Sequence, residues 1–251
     1  MKERFDVDGR RARDLNGNGR LDPYEDPRLP IEERVDDLLG QMTLEEKAGL
    51  MFMPPIGVGF DGELFEEPTP FSPHTTTSLV VERHLNHFNI YMAPGARTTA
   101  TWHNNLQRLA EETRLGIPVT IASDPRHGFD SVAAAVPSEG ALSQWPEPIG
   151  FAAIGDEELV RQFGDIARQE YRALGVHVAL HPMADVASEP RWARIFGTFG
   201  EDIDLVGRLT AAYVRGFQGD ELGPESVACM TKHFPGGGPQ KDGEDPHFPY
   251  G

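Results

Sequence analysis

Four apolar runs, Asn89–Pro94 (NIYMAP), Ile117–Asp124 (IPVTIASD), His177–Val186 (HVALHPMADV) and Ser226–Met230 (SVACM), alternate with segments of helical periodicity. The clearest of them, Ile117–Asp124, is continuous and β-branched, as a strand covered on both faces should be. Between the runs, apolar residues recur at helical spacing. Trp102, Leu106 and Leu109 lead towards Gly116. Leu159, Phe163, Ile166, Ala167, Tyr171 and Leu174 run up to Gly175, a C-terminal cap glycine. Ile203, Val206, Leu209, Tyr213 and Phe217 mark a further helix. Upstream, Ile31, Val35, Leu38, Leu39 and Met42 share a helical face, and Thr43 with Glu46 forms a capping-box pattern. Repeated strand–helix units of this kind restrict the chain to an α/β fold with a parallel sheet and covering helices. Internal repeats and low-complexity tracts are absent from the sequence. The Gly-, Pro- and Glu-rich stretch from Pro54 to His74 reads as a loop at a rim.

Three of these runs end in polar residues, and parallel strands deliver such ends to one face. The Ile117–Asp124 run exits as SDPRHG, with Asp124, Arg126 and His127. The next enters HPMADVASEPRWARIFGTFGED, carrying Asp185, Glu189, Arg191, Trp192 and Arg194. The last ends in Lys232 and His233, followed by a glycine–proline loop and the cluster Asp242, Glu244, Asp245 and His247. Carboxylates accept hydrogen bonds from hydroxyls while Lys and Arg donate to them, so such a rim can grip a ring bearing several OH groups.

Composition narrows the partners. Forty acidic against 23 basic side chains give a formal net charge of -17. That surface repels phosphate backbones, which argues against a nucleic-acid partner and leaves neutral sugars or cationic ligands compatible. No apolar run reaches the ~18 residues of a membrane span, and the N-terminus shows charges without an apolar core of a leader. Cytoplasmic location is the default expectation, with a periplasmic or secreted parent left open. The single cysteine, Cys229, excludes an internal disulfide and reads as a small core residue.

SDPRHG, SEPRWARIFGTFGED and KHFPGGGPQKDGEDPHF, in that order, resemble the N-terminal barrel domain of glycoside hydrolase family 3, the β-glucosidase group. VDDLLGQMTLEEK (Val35–Lys47) is similar to that family's entry helix. The resemblance implies an incomplete (β/α)8 barrel, about five of eight βα units over residues 31–251, preceded by an extension over residues 1–30. It implies an exo-acting retaining hydrolase that releases terminal β-D-glucose, with a β-linked oligosaccharide or glucoside as partner and no catalytic cofactor. Residues matching Asp124, Arg191, Lys232 and His233 hold the terminal sugar in that family. Asp124 would take two hydroxyls, Lys232 and His233 neighbouring ones, and Arg191 would set its charge against the carboxylate network. Asp124 and Arg191 could instead form a plain ion pair at the barrel top.

Asp245 and His247 would shape the subsite or brace Lys232. His247 also stands near the family's D-S-H loop, whose His is the acid/base in enzymes acting on N-acetylglucosaminides, but two residues later and after Pro. In the retaining scheme an Asp nucleophile and a Glu acid/base flank the scissile bond. The family's nucleophile segment, V-x-S-D-W, does not occur in these residues, and its acid/base comes from a second domain. Both catalytic carboxylates are therefore expected beyond Gly251, leaving this chain the sugar-gripping half of a site. Catalytically silent carbohydrate binding is the alternative from another class; β-xylosidase or β-N-acetylglucosaminidase activity are alternatives within it. An incomplete barrel would also expose a sheet edge and favour association.

A separate motif, DLNGNGRLDPYE, matches the calcium-loop pattern D-x-[DN]-x-[DN]-G-x5-E. Asp14, Asn16 and Asn18 hold the odd ligand positions, Arg20 supplies a carbonyl, and Asp22 and Glu25 complete the set. Gly19 makes the sharp turn. The expectation is one structural Ca²⁺, set against an Asn–Gly turn that binds nothing.

Overall fold

The computed structural model describes residues 4–68, 72–128, 142–238 and 240–249. Part of the Pro54–His74 loop, residues 69–71, thus lies outside the described residues. Strands β3 (Pro55–Ile56), β4 (His87–Ile90), β5 (Thr120–Ser123), β6 (Val176–Ala179) and β7 (Ala228–Cys229) form a five-stranded parallel sheet in chain order. The expected α/β class is therefore observed. The chain divides into two compact units, residues 1–89 with 101–120, and residues 90–100 with 121–251.

The first unit opens with an antiparallel hairpin that the periodicity argument did not anticipate. Its strands β1 (Arg4–Val7) and β2 (Arg10–Arg13) pair Val7 with Arg10. Asp8 and Gly9 make the turn, both at positive φ (53° and 76°). Asp-Gly is the dipeptide such a two-residue turn favours. Helices α1 (Ile31–Gln41) and α2 (Leu44–Gly49) follow, and Thr43 caps α2 by accepting from Glu46 N at 3.2 Å. The Glu46 carboxylate returns to Thr43 N at 2.9 Å, completing the expected capping box. Helix α1 forms where its spacing predicts, but its stripe of Ile31, Val35 and Leu39 stays 70%, 45% and 41% exposed. Of the five apolar positions on that face, Met42 alone is buried. Trp102, Leu106 and Ala110 bury the inner face of the part of α3 (Ala96–Glu111) that belongs to this unit.

In the second unit, β5 pairs in parallel with β6 (Ser123 opposite Ala179) and β6 with β7 (Ala179 opposite Cys229). All three strands are shorter than their apolar runs. Pro118 and Pro182 lack the N–H that a sheet ladder needs, so β5 starts after the first and β6 stops before the second. Helix α4 (Pro148–Ile154) was not foreseen, though its signals are in the sequence: Pro148 at its first turn and Gly155 at φ 73° closing it. Helices α5 (Glu157–Leu174) and α6 (Ile203–Gln218) pack together, with Gly175 ending α5 at φ 86° as expected. Asp202 opens α6, accepting from Leu205 N at 2.9 Å. Between sheet and helices, Phe163, Tyr171, Tyr213 and Phe217 form an aromatic core around the fully buried His181. Burial pushes the His181 imidazole well below its ordinary pKa. Neutral, it bonds Tyr213 Oη at 2.6 Å and lies 3.3 Å from Tyr171 Oη.

The helix crossing depends on bare backbone. A Cβ on Gly216 would lie 2.5 Å from Arg161 O and 2.8 Å from Gly164 Cα. In the same helix, Gly207 has open space around it. Gly216→Ala should therefore cost about 1–3 kcal/mol by overpacking, while Gly207→Ala should add about 0.5–1 kcal/mol through helix propensity. Thermal melts of the two variants check this. Equal shifts in the same direction would contradict the crossing geometry.

Candidate functional site

The second unit brings together side chains far apart in sequence. Asp124 follows β5 directly, and Lys232 lies three residues past β7. Parallel pairing brings these ends to one side of the sheet with β6 between them, and Lys232 Nζ meets Asp124 Oδ1 at 2.7 Å across 108 residues of sequence. The two side chains are 26% and 18% exposed, so the pair is reachable from solvent yet partly shielded. Backbone bonds fix both ends. Lys232 N donates to Pro182 O at 3.0 Å, and Lys232 O accepts from Ala184 N at 2.7 Å. Asp124 O accepts from Tyr171 Oη at 2.8 Å. Arg126, buried beside it, donates to Ser123 Oγ, Tyr91 O and Ile90 O and so ties down the β5 exit.

His233, next to Lys232, turns its Nδ1 to Asp185 Oδ2 at 2.9 Å. Asp185 is fully buried, and its Oδ1 accepts from His233 N at 3.4 Å and from Gly237 N. The glycine loop passes this close because it has no side chains: a Cβ on Gly238 would sit 1.7 Å from Val186 O. That loop carries Asp245 back onto the segment after β6. Asp245 accepts from Trp192 Nε1 at 2.8 Å and Arg194 Nε at 2.6 Å, and its Oδ1 lies 2.5 Å from His247 Nδ1. Burial alone would raise its carboxyl pKa, but the bonds from Trp192, His247 and Arg194 hold it well below the usual carboxylate range.

Of the six expected sugar-binding residues, Asp124, Lys232 and His233 occupy adjoining positions at the strand ends. The alternative of an Asp124–Arg191 ion pair is not what forms, and one expectation needs correction. The ion partner of Asp124 is Lys232, whereas Arg191 binds Glu189, with Nε to Oε1 and Nη2 to Oε2 both 2.9 Å, and approaches Asp242 at 3.6 Å. Arg191 holds the Glu189 carboxyl at about 2, and its own side chain is 62% exposed. Nor does Asp245 brace Lys232: its oxygens are taken by Trp192, Arg194 and His247, because the loop lays it over Trp192. His247 is 70% exposed and pairs with Asp245. His127 is buried, with Nε2 2.9 Å from Glu170 Oε2. Asp185 and Glu170 are the partners sequence reading did not assign. Asp185 carried a signal, as the acid one strand-exit segment brings opposite the KH pair.

The calcium-like loop of the first unit is also folded. Asp14, 3% exposed, accepts from Gly17 N at 2.7 Å, Asn18 N at 3.1 Å and Gly19 N at 2.8 Å. Glu25 accepts from Leu15 N at 2.6 Å and Asp22 N at 3.0 Å. Asn16 and Asn18 donate to Asp22 Oδ2 at 2.5 and 2.7 Å. Arg20 N donates to Asn18 Oδ1 at 2.8 Å. Among the described residues, no group of three or more His, Cys, Asp or Glu side chains is arranged to hold a metal.

The model of the glycosyl hydrolase family 3 N-terminal domain matches residues 77–249, which include every side chain of the strand-end cluster. The chain belongs to glycosyl hydrolase family 3. It is 49% identical over 230 residues to a probable β-glucosidase C of Aspergillus oryzae, covering 91% of this chain and 36% of that protein. It is 47% identical over 248 residues to a periplasmic β-glucosidase/β-xylosidase of Dickeya chrysanthemi, covering 98% of this chain and 38% of that one. The structure of a β-glucosidase from Listeria innocua in complex with glucose superposes with a TM-score of 0.57 at 27% identity, over 82% of this chain and 27% of that one. The family 3 chain thus spans a little over a third of the length of these two curated relatives.

Asp245→Asn should cost about 1–3 kcal/mol at neutral pH, because it removes the charge facing half-buried Arg194 and buried Trp192. The sign of its pH dependence follows from the lowered pKa. A carboxyl depressed in the folded state stabilises above its unfolded value of ~4 and loses that contribution as pH falls through its folded value. Wild type and Asp245→Asn should therefore begin to converge in melting temperature as pH falls below about 4 and go on converging towards the lowered folded value. Parallel curves down to the lowest pH would contradict the assignment.

Proposed function

We propose that this family 3 chain carries the sugar-binding part of an exo-acting, retaining β-glucosidase that releases terminal β-D-glucose from β-linked oligosaccharides or glucosides. On this reading its sheet is the first five strands of an eight-stranded barrel, and the nucleophile and acid/base come from outside these residues. The Asp124–Lys232 contact at the ends of β5 and β7, with His233 beside it, carries the proposal. A sugar hydroxyl entering there accepts from the ammonium and donates to the carboxylate, so one OH uses both partners at once. Asp124, Lys232 and His233 then hold successive hydroxyls, while Arg191 closes the rim through Glu189. Trp192, held beneath by Asp245, supports the wall.

Isothermal titration of D-glucose into the chain tests this. Asp124→Asn, which keeps the shape and removes the charge, should weaken binding about tenfold, since hydrogen bonds to charged groups are worth roughly 1.5–3 kcal/mol. Absence of any glucose heat in the wild type, or unchanged affinity in Asp124→Asn, would overturn the reading. Aryl β-glucosides should not be turned over by the chain itself.

We further propose that the Asp14–Glu25 loop takes one structural Ca²⁺, in keeping with its motif spacing and turn glycine. Asn16 and Asn18 direct amide nitrogens towards Asp22, and turning their oxygens to a cation would exchange the bonds these accept from Asn18 N and Arg20 N for metal coordination. Calorimetric titration of chelator-stripped protein should give one Ca²⁺ site and a raised melting temperature, both lost in Asp14→Ala. A flat titration would remove the proposal.

A further inference from the structure

We propose that Asp185 is a positioning residue that locks His233 in the Nδ1–H tautomer, so that Nε2 offers the site an acceptor rather than a donor. The inference rests on the sugar-binding reading and deepens it: it states which way the hydrogen bond at His233 runs.

The geometry forces this direction. A neutral imidazole carries one donor and one acceptor nitrogen, and the bond made by one decides the role of the other. Asp185 Oδ2 lies 2.9 Å from His233 Nδ1, and a carboxylate only accepts, so Nδ1 must hold the proton. The carboxylate cannot turn away. Its other oxygen is bonded by two backbone N–H groups, His233 N at 3.4 Å and Gly237 N, and the side chain is fully buried. His233 keeps 35% of its side chain exposed. Its neighbour Lys232 can only donate. The paired side chains therefore present opposite polarities: Lys232 donates to a ligand, and His233 Nε2 accepts from it.

Two hydroxyls of a sugar suit this arrangement, because a hydroxyl can act in either sense. Replacing the hydroxyl at His233 by fluorine leaves a group that cannot donate, and binding should suffer there. At Lys232 the same replacement removes the donation to Asp124 instead, a loss that does not depend on Asp185.

Asp185→Asn is a sharp test because the two backbone N–H groups also dictate how the new amide sits. They hold its oxygen where Oδ1 was, which places the NH₂ group against His233 Nδ1. That group donates, so Nδ1 must give up its proton and the ring must switch to the Nε2–H tautomer. The variant changes no side-chain volume and keeps the loop contact to Gly237.

Long-range ¹H–¹⁵N spectra of the full 251-residue chain, recorded well above the ordinary imidazole pKa of ~6.5, read the tautomer directly. The wild type should show Nδ1 as the protonated, pyrrole-type nitrogen of His233, and Asp185→Asn should show Nε2 in that role. Calorimetry with D-glucose and with its monodeoxyfluoro analogues, each hydroxyl replaced in turn, supplies the second readout. The analogue fluorinated at the hydroxyl facing His233 should bind the wild type about five- to tenfold more weakly than glucose, and that loss should vanish in Asp185→Asn while the loss at the Asp124–Lys232 hydroxyl persists. A wild-type His233 protonated on Nε2, an unchanged tautomer in Asp185→Asn, or equal binding of all analogues that bind would each overturn the inference. Expected tautomers with no glucose binding in either protein would support the lock and overturn the sugar-binding reading instead. A merely structural Asp185 would alter melting temperature but leave the nitrogen assignments and the analogue pattern alone.

Discussion

Parallel pairing of β5, β6 and β7 is the constraint from which the strand-end cluster follows. Asp124 and Lys232 have no local relationship, being 108 residues apart. They meet because Ser123 stands opposite Ala179 and Ala179 opposite Cys229, which brings the exits of β5 and β7 to the same level. Two helices enforce that register from behind. The close crossing at Gly164 and Gly216 lets α5 and α6 approach, and α5 contributes Tyr171, whose hydroxyl reaches the Asp124 carbonyl. The position of a charged group at the rim is thus set by a helix contact in the core.

Beneath the rim, the chemistry is kept neutral. His181 is wholly buried, flanked by the hydroxyls of Tyr171 and Tyr213, and burial holds its ring uncharged. A charged imidazole there would add a buried like charge close to Arg126 and Lys232, at considerable cost. Cys229, on β7, is similarly quiet: burial pushes its thiol up to about 12, far from the thiolate needed for reactivity. The Asp124–Lys232 pair, by contrast, stands at the strand ends and is partly open to solvent.

Much of this could be read along the chain. The alternation of apolar runs and helical periods located four of the five sheet strands and the larger helices, since covered parallel strands and amphipathic helices leave strong periodic signals. The strand limits were less legible, because Pro118 and Pro182 shorten β5 and β6 by removing donors rather than by changing hydropathy. Helix α4 and the β1–β2 hairpin were missed; their signals, Pro148 with Gly155 and Asp8-Gly9, are local and non-periodic. The candidate rim residues were visible as polar exits, but their pairings were not. Which acid faces which base depends on register across strands and on the path of the glycine loop. Lys232 accordingly meets Asp124, Arg191 turns to Glu189, and Asp245 lies over Trp192.

The pairings also constrain what kind of ligand the rim can take. Lys232, Arg191 and Arg194 each already face a carboxylate, Asp124, Glu189 and Asp245 respectively, and Arg126 is buried against Ser123 and the carbonyls of Tyr91 and Ile90. Asp185 and Asp242 add further negative charge, one against His233 and the other 3.6 Å from Arg191. An anionic ligand, such as a phosphate or a free carboxylate, would have to break one of these ion pairs to reach Lys232, Arg191 or Arg194. A cation would compete with Lys232 and Arg194 for partly shielded carboxylates. A neutral polyhydroxyl ligand faces neither cost, because each OH can insert into an existing pair, accepting from its cation and donating to its anion without leaving either uncompensated. The same pairs that look like structural salt bridges in the free protein are therefore well suited to neutral sugars, and the net charge of -17 on the chain works in the same direction by repelling anions before they arrive.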